Sequence, residues 1–303
     1  MRQHSLWSIR FSQLKGKSMK KPLIWVTGIL IFIAFLQPAN AEKKQYFAIA
    51  TGGMGGTYYP LGGALAAALS ERISGLVATA QTGNASVSNS NLIGRRAIES
   101  AFIQNNVATW AYYGTGLFKD KNPVKNLRAI ASLYPEAIQI VATKDSNIRT
   151  IKDLRDKRVI VGAPGSGTAV DASLVLQAYG LRFSDMKVDY LGFSEAVQRL
   201  KDKQTDAAFV SAGIPTASII ELASQKGVTI LPITGPRRDK LLKSAPYYVP
   251  ALIPAGTYTG IDRDVETVTA MAQWVVEDRI SRKLVYQMTK ALWESTNGKA
   301  SIA

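Results

Sequence analysis

The polar chemistry of this chain is concentrated in turns that follow short apolar runs. The first is Gly52-Gly53-Met54-Gly55-Gly56-Thr57-Tyr58-Tyr59-Pro60-Leu61-Gly62-Gly63, placed after the apolar run at 46–50 and before an alanine-rich helical pattern. It reads as strand, glycine turn, helix. The glycines let several backbone N–H groups approach a guest closely, and Thr57 is placed to cap a helix whose first turn holds Tyr58, Tyr59 and Pro60. Unpaired N–H groups and the positive end of a helix dipole favour an anion, by about 0.3–1 kcal/mol for the dipole alone. The same glycines would also serve close packing of strand on helix. Recurrence of the pattern is what turns the reading toward a ligand.

A second turn, at 81–92, carries Asn84 and Ser86 among Thr, Ser, Asn and Gly and has no charge. Such residues are preferred helix caps, and they also make a donor-rich pocket wall. The third joint puts Gln104-Asn105-Asn106 after the run at 100–103. The fourth is Gly162-Ala163-Pro164-Gly165-Ser166-Gly167-Thr168, where Ser166, Gly167 and Thr168 offer hydroxyls and N–H groups. Thr168 with Asp171 three residues on predicts a capping box for a helix at 169–179 stopped by Gly180, which makes Asp171 structural. Two further joints, at 192–195 and 211–216, place small and aromatic groups in the same position. Phe193 there suits either the core or a place against a ligand, and core is slightly favoured because large aromatics mostly serve packing.

Several chemistries are excluded. The dinucleotide fingerprint starting at Gly53 needs glycine where Tyr58 stands, and neither glycine turn has the lysine of a P-loop. The chain has no Cys, and its one His, His4, precedes a segment predicted to be removed. Thiol nucleophiles, disulfides, Ser-His-Asp triads and ordinary zinc sites are therefore out of reach. No cofactor or metal is expected, and no local pairing suggests carboxylate or Ser-Lys catalysis.

That segment is residues 1–41. An apolar core at 23–36, too short for a membrane span of about 20 residues, is preceded by Lys20-Lys21 and followed by Ala39-Asn40-Ala41. This pattern predicts a signal peptide cut after Ala41, with translation from Met19, and hence a periplasmic location. Cleavage removes six basic residues and no acid, lowering the net charge from +15 to +9. The remaining basic residues are interleaved with acids, as at 152–158, which is a solvated face and not a nucleic-acid stripe.

Around the turns, strands alternate with helices, which predicts an α/β fold with a parallel sheet in each half. Residues 42–142 plus 234–303 are expected to form the first domain and 143–233 the second. The runs at 137–142 and 228–233 would cross between them. Ligands of open parallel sheets bind beyond the carboxyl ends of the strands, where all these turns fall. Two such domains would face one another across a cleft that closes by hinge motion.

With these residues assembled, the chain resembles the TAXI family of TRAP-transporter solute receptors. The resemblance is carried by Thr51-Gly52-Gly53, Gly55-Gly56-Thr57-Tyr58-Tyr59-Pro60 and Gly62. It is supported by Ala101-Phe102-Ile103-Gln104-Asn105, Gly165-Ser166-Gly167-Thr168 and Ile253-Pro254-Ala255-Gly256-Thr257-Tyr258. It implies a type II periplasmic binding-protein fold, two α/β domains joined by two hinge segments. The implied task is delivery of a small organic anion, such as glutamate, a dicarboxylate or a keto acid, to a multispanning permease driven by an ion gradient. The pocket it implies is Gly56, Thr57, Tyr58, Asn84, Ser86, Gln104, Asn105, Ser166, Gly167 and Thr168. The second turn, 83–89, departs from the family's usual Thr-Gly-Gly-Ser-Val-Glu-Asn. The expectation is a monomeric receptor without catalysis, in which Tyr58 closes over the apolar part of the solute. A receptor of similar fold serving an ABC importer, and a secreted enzyme using a pair of carboxylates, are the alternatives.

Overall fold

A computed structural model describes residues 44–294 of the chain; the predicted signal peptide and the last residues lie outside the described residues. Strand β1 (Gln45–Ala50) leads through the first glycine turn into helix α1 (Tyr58–Arg72), then β2 (Leu76–Gln81), α2 (Ser86–Gly94), β3 (Ser100–Gln104) and α3 (Asn105–Tyr113). Strand β4 (Leu127–Thr143) leaves this unit. A second βα series follows: β5 (Arg158–Ile160), α4 (Gly167–Ala178), β6 (Lys187–Asp189), α5 (Phe193–Lys201), β7 (Ala207–Ala212) and α6 (Ala217–Lys226). The described residues end with β8 (Val228–Leu231), α7 (Gly235–Ser244), β9 (Val249–Ile253), β10 (Val265–Glu277) and α8 (Arg282–Trp293).

These strands make one sheet in the order β2-β1-β3-β10-β4-β7-β5-β6, with β9 on β10 and β8 on β4. Pairing is parallel among β1, β2 and β3, and again among β5, β6 and β7, as strand–helix alternation requires. The two parallel sets are joined through antiparallel β4 and β10. Strand β4 is the shared element: its first part pairs with β10, and its last part lies between β7 and β8.

Tyr134-Pro135-Glu136 does not interrupt β4, which is a single strand of 17 residues. Proline lacks the N–H a ladder needs, and opposite it the pairing with β10 shifts register between Met271 and Gln273, so the strand passes through without a break. Between β4 and β5 a short 3-10 turn, Ile151–Leu154, is opened by a capping box between Thr150 and Asp153.

Apolar side chains of both faces form the core. Phe47, Ile49, Leu65, Leu69, Phe102 and Trp274 pack between β1, β3, β10, α1 and α8. Ile138, Ile140, Val159, Val175, Leu176 and Phe209 pack under α4 in the other half. Trp274 is fully buried and donates its indole N–H to Ser100 Oγ at 2.6 Å, so the polar edge of the ring is satisfied. Among the described residues no helix is long and apolar enough to cross a membrane.

Candidate functional site

The carboxyl ends of both parallel sets open onto one cavity of about 360 Å³. The first set supplies Gly56, Thr57 and Tyr58 after β1, Asn84 and Ser86 after β2, and Gln104 at the end of β3. The second set supplies Ser166, Gly167 and Thr168 after β5. Nine of the ten residues expected at a pocket are thus brought together. Asn105 is not: it opens α3, where its Oδ1 accepts the Met271 N–H at 3.2 Å and its Nδ2 donates to the Tyr247 carbonyl at 3.3 Å. It ties the helix to β10.

Asn89, one helical turn into α2, holds the first set of strand ends in place. Its Nδ2 donates to the carbonyls of Thr51 at 2.9 Å and Phe102 at 2.8 Å, with a longer contact to Ala50 at 3.3 Å. Just before α2, Ala85 adopts φ 61°, a left-handed value costly for a residue with a Cβ.

Hydrogen bonds join the turns of the first set to those of the second. The Gly165 carbonyl accepts the N–H groups of Val87 at 3.0 Å and Ser88 at 3.1 Å. Gly213 donates its N–H to Thr57 Oγ1 at 3.0 Å, and Ser218 donates to the Gly55 carbonyl at 3.4 Å. Thr57 therefore does not cap α1 with its side chain, as the turn chemistry suggests; its oxygen is engaged from the opposite wall. Nor do Thr168 and Asp171 make a capping box. The cap of α4 is Ser166, whose Oγ accepts the Ala169 N–H at 3.1 Å.

These contacts decide which helix ends remain open to an anion. The start of α2 is occupied by the Gly165 carbonyl, and that of α6 by Gly55. At α5 the first-turn Glu195 curls back, its Oε2 only 2.6 Å from where a Cβ on Gly192 would stand. At the starts of α1 and α4, Tyr58, Gly167 and Thr168 line the cavity, and their N–H groups have no intrahelical acceptor.

Tyr58 is a wall of the cavity and not a flap. Its ring packs edge-on against Phe102, with centroids 5.5 Å apart, and against Tyr134 at 6.5 Å. Its hydroxyl donates to Glu136 Oε2 at 3.0 Å. Burial, with the neighbouring Glu136 carboxyl, raises the Tyr58 hydroxyl well above its ordinary pKa. Burial likewise pushes the Glu136 carboxyl well above the usual carboxylate range, against the pull of the Tyr58 hydrogen bond, and nearby Asp171 adds to the rise.

Glu136 is one of the residues that sequence reasoning misses. It comes from the middle of β4, a position with no turn signal. Glu195, Tyr190 and Ser211 also line the cavity, and Phe193 does so while packing on the core. Asp171 acts from behind: fully buried, it accepts from Gln104 Nε2 at 2.8 Å and from the Tyr248 hydroxyl at 2.5 Å. Burial raises its pKa, and the Gln104 hydrogen bond opposes that rise. With the Gln104 nitrogen so committed, its Oε1 is turned toward Gly167 and finds no partner. A Cβ on Gly167 would overlap that oxygen, so a larger residue there would have to displace the Gln104 side chain. The cavity lining contains no Lys, Arg or His, and among the described residues no group of acids is arranged to hold a metal ion.

Two parallel βα units with a shared cavity beyond their strand ends, linked by antiparallel crossing strands, make the fold of type II periplasmic binding proteins. Solved structures agree. PhnD1 from Prochlorococcus marinus in complex with methylphosphonate aligns with a TM-score of 0.55 at 10% identity, over 84% of this chain and 86% of that one. A binding protein component of an ABC phosphonate transporter from Pseudomonas aeruginosa gives 0.54 at 10% identity, over 86% and 77%. An L-cystine ABC transporter protein from Listeria monocytogenes, described as putative, gives 0.50 at 15%, over 82% and 89%. The chain belongs to the NMT1-like family, whose model matches residues 49–302. This match shows the NMT1-like family and does not reach the finer TAXI resemblance of the motifs.

Proposed function

We propose that the protein is a periplasmic receptor that captures a small solute bearing an acidic group and passes it to a membrane importer, without catalysis. The observation that carries this reading is the cavity itself: it is shut in by hydrogen bonds from opposite walls and faced by the open starts of α1 and α4. The acidic group sits between those helix starts, held by the N–H groups and hydroxyls of Thr57, Tyr58, Ser166, Gly167 and Thr168. Hydrogen bonds to a charged group contribute about 1.5–3 kcal/mol each, so three to five support affinity near micromolar, about −8 kcal/mol, after ordering costs.

In this reading 42–142 with 234–303, and 143–233, act as two lobes, and the crossing strands β4 and β8 flex as the cavity opens. The importer is of the ABC type, by analogy with the proteins of this fold named above. The motif resemblance favours an ion-gradient TRAP permease instead. A neighbouring gene for an ATPase supports the first, and one for a large multispanning permease the second. A thermal-shift screen of residues 42–303 against organic acids and amino acids tests the receptor reading, because a solute that binds only the folded state raises Tm. A saturable shift is expected. A cooperative melt that no solute moves would contradict it.

A further inference from the structure

We propose that Glu136 sets the charge the cavity accepts: it holds a proton whenever an acidic solute is bound, so capture is coupled to a proton and weakens as pH rises. This rests on the receptor reading and adds to it a residue that the turns do not supply.

The charges around the cavity are the first ground. Glu136 and Glu195 line it, Asp171 stands behind it, and the lining has no Lys, Arg or His. The other titratable groups nearby are Tyr58 from α1, Tyr134 from β4, Tyr190 from the turn after β6, and Tyr248 on the far side of Asp171. Strand β10 puts Ala270 opposite Glu136, and β7 brings Ser211. No cation there offsets an ionised Glu136 when an anion enters. The separation is short, because Tyr58 gives its N–H to the start of α1 and its hydroxyl to Glu136 Oε2 at 3.0 Å. One tyrosine side chain thus lies between an anion at that helix start and the carboxyl. Like charges at that range in a protein-walled cavity of about 360 Å³ repel strongly, and a proton on Glu136 removes the repulsion.

The second ground is the choice among the three acids. Glu195 is exposed, whereas Glu136 is 3% exposed and Asp171 fully buried. Asp171 accepts from two donors, Gln104 Nε2 at 2.8 Å and the Tyr248 hydroxyl at 2.5 Å, and such donors favour the charged form. Glu136 accepts from the Tyr58 hydroxyl alone among the described residues, so it is the acid more readily neutralised. Burial acts on it in the same direction, and the nearness of Asp171 adds to the effect. With Oε2 taken by Tyr58, Oε1 carries the proton, and the neutral acid gains an O–H donor that the carboxylate lacks.

The test titrates the mature chain, residues 42–303, by calorimetry with glutamate, leucine, 2-oxoglutarate and ethanesulfonate from pH 6 to pH 8.5, over which their acidic groups stay ionised. Each probe that binds is expected to bind about tenfold or more weakly at pH 8.5 than at pH 6. Heats compared in phosphate and Tris should show proton uptake at the upper end. Glu136→Gln keeps a neutral amide in place, so its affinity should change less than about twofold over the same range. Tyr58→Phe removes the hydroxyl that favours the ionised carboxyl, so the pH at which affinity falls should move up. Wild-type affinity that is flat with pH, or a Glu136→Gln variant that keeps the wild-type profile, would overturn the proton coupling and leave the receptor reading standing. No saturable binding by any probe at any pH would overturn the receptor reading and this proposal with it. If Glu136→Gln does not fold, the profile of Tyr58→Phe decides, and an unmoved midpoint overturns the coupling.

Discussion

Gly213 donates its backbone N–H to Thr57 Oγ1 at 3.0 Å, joining the turn after β7 to the turn after β1. A Cβ on Gly213 would stand 3.0 Å from the same oxygen, so the close approach depends on both residue types. Thr57→Ala removes the acceptor without touching the core. It should weaken solute binding about tenfold, ~1.4 kcal/mol, with the circular dichroism spectrum unchanged; Ser166→Ala should behave alike. Unaltered affinity in both would remove these residues from the site.

Closure can be tested at Gly165, whose carbonyl takes the first N–H groups of α2. It has φ +75°, and a Cβ there would stand 2.6 Å from Ser88 Oγ. Gly165→Ala combines left-handed strain of about 1–2 kcal/mol with that clash. Small-angle scattering of the variant with solute should show a larger radius of gyration than the wild type, with affinity reduced tenfold or more. A radius equal to that of the liganded wild type would show that this contact does not govern closure.

Glu136 predicts a pH dependence. Its folded pKa is raised by burial, with Tyr58, Tyr134 and Asp171 the titratable groups acting on it or on its partner. A carboxyl whose pKa is higher folded than unfolded contributes stability that is fully present below its unfolded pKa, about 4.3. That stability is lost as pH rises through the folded pKa. Glu136→Gln keeps an acceptor for Tyr58 and removes the ionisation. The Tm of the variant minus that of the wild type should therefore grow from pH 4 to pH 8; a difference that is flat or shrinks with pH would refute the assignment.

Asn89 makes a structural prediction. Its amide serves the ends of strands β1 and β3 together, from a side chain buried to 1% exposure. Asn89→Ala leaves those carbonyls without their donor, a loss of roughly 2–3 kcal/mol. Chemical denaturation should show a lower midpoint at unchanged slope. A loss below half a kcal/mol would mean that water replaces the amide.

The contrast between these residues explains what the sequence discloses. Gly56, Thr57, Ser86, Ser166 and Gly167 were legible because strand, turn and helix start are contiguous, and turn chemistry is local. Glu136 was not, because its partner Tyr58 lies 78 residues away and nothing beside Pro135 marks it as buried. Asp171 was misread by a true local pattern: Thr168-x-x-Asp171 has capping-box spacing, but the side chain is claimed by Gln104, 67 residues before it, and Tyr248, 77 after. Asn105 was placed wrongly by a single step, since Gln104 ends the strand while Asn105 opens the helix and points to β10. The parallel halves followed from strand–helix alternation. The length of β4 did not, because a proline mid-strand is tolerated only through the register shift of β10.

The proposed receptor holds a small solute in the cavity between the two parallel units. The most direct measurement is a crystal structure of the mature chain with the solute found by thermal shift. One molecule is expected in the cavity, its acidic group within about 3.2 Å of the N–H groups that start α1 and α4, as charge-assisted hydrogen bonds require. Density for the solute on the outer surface, with this cavity empty, would contradict it.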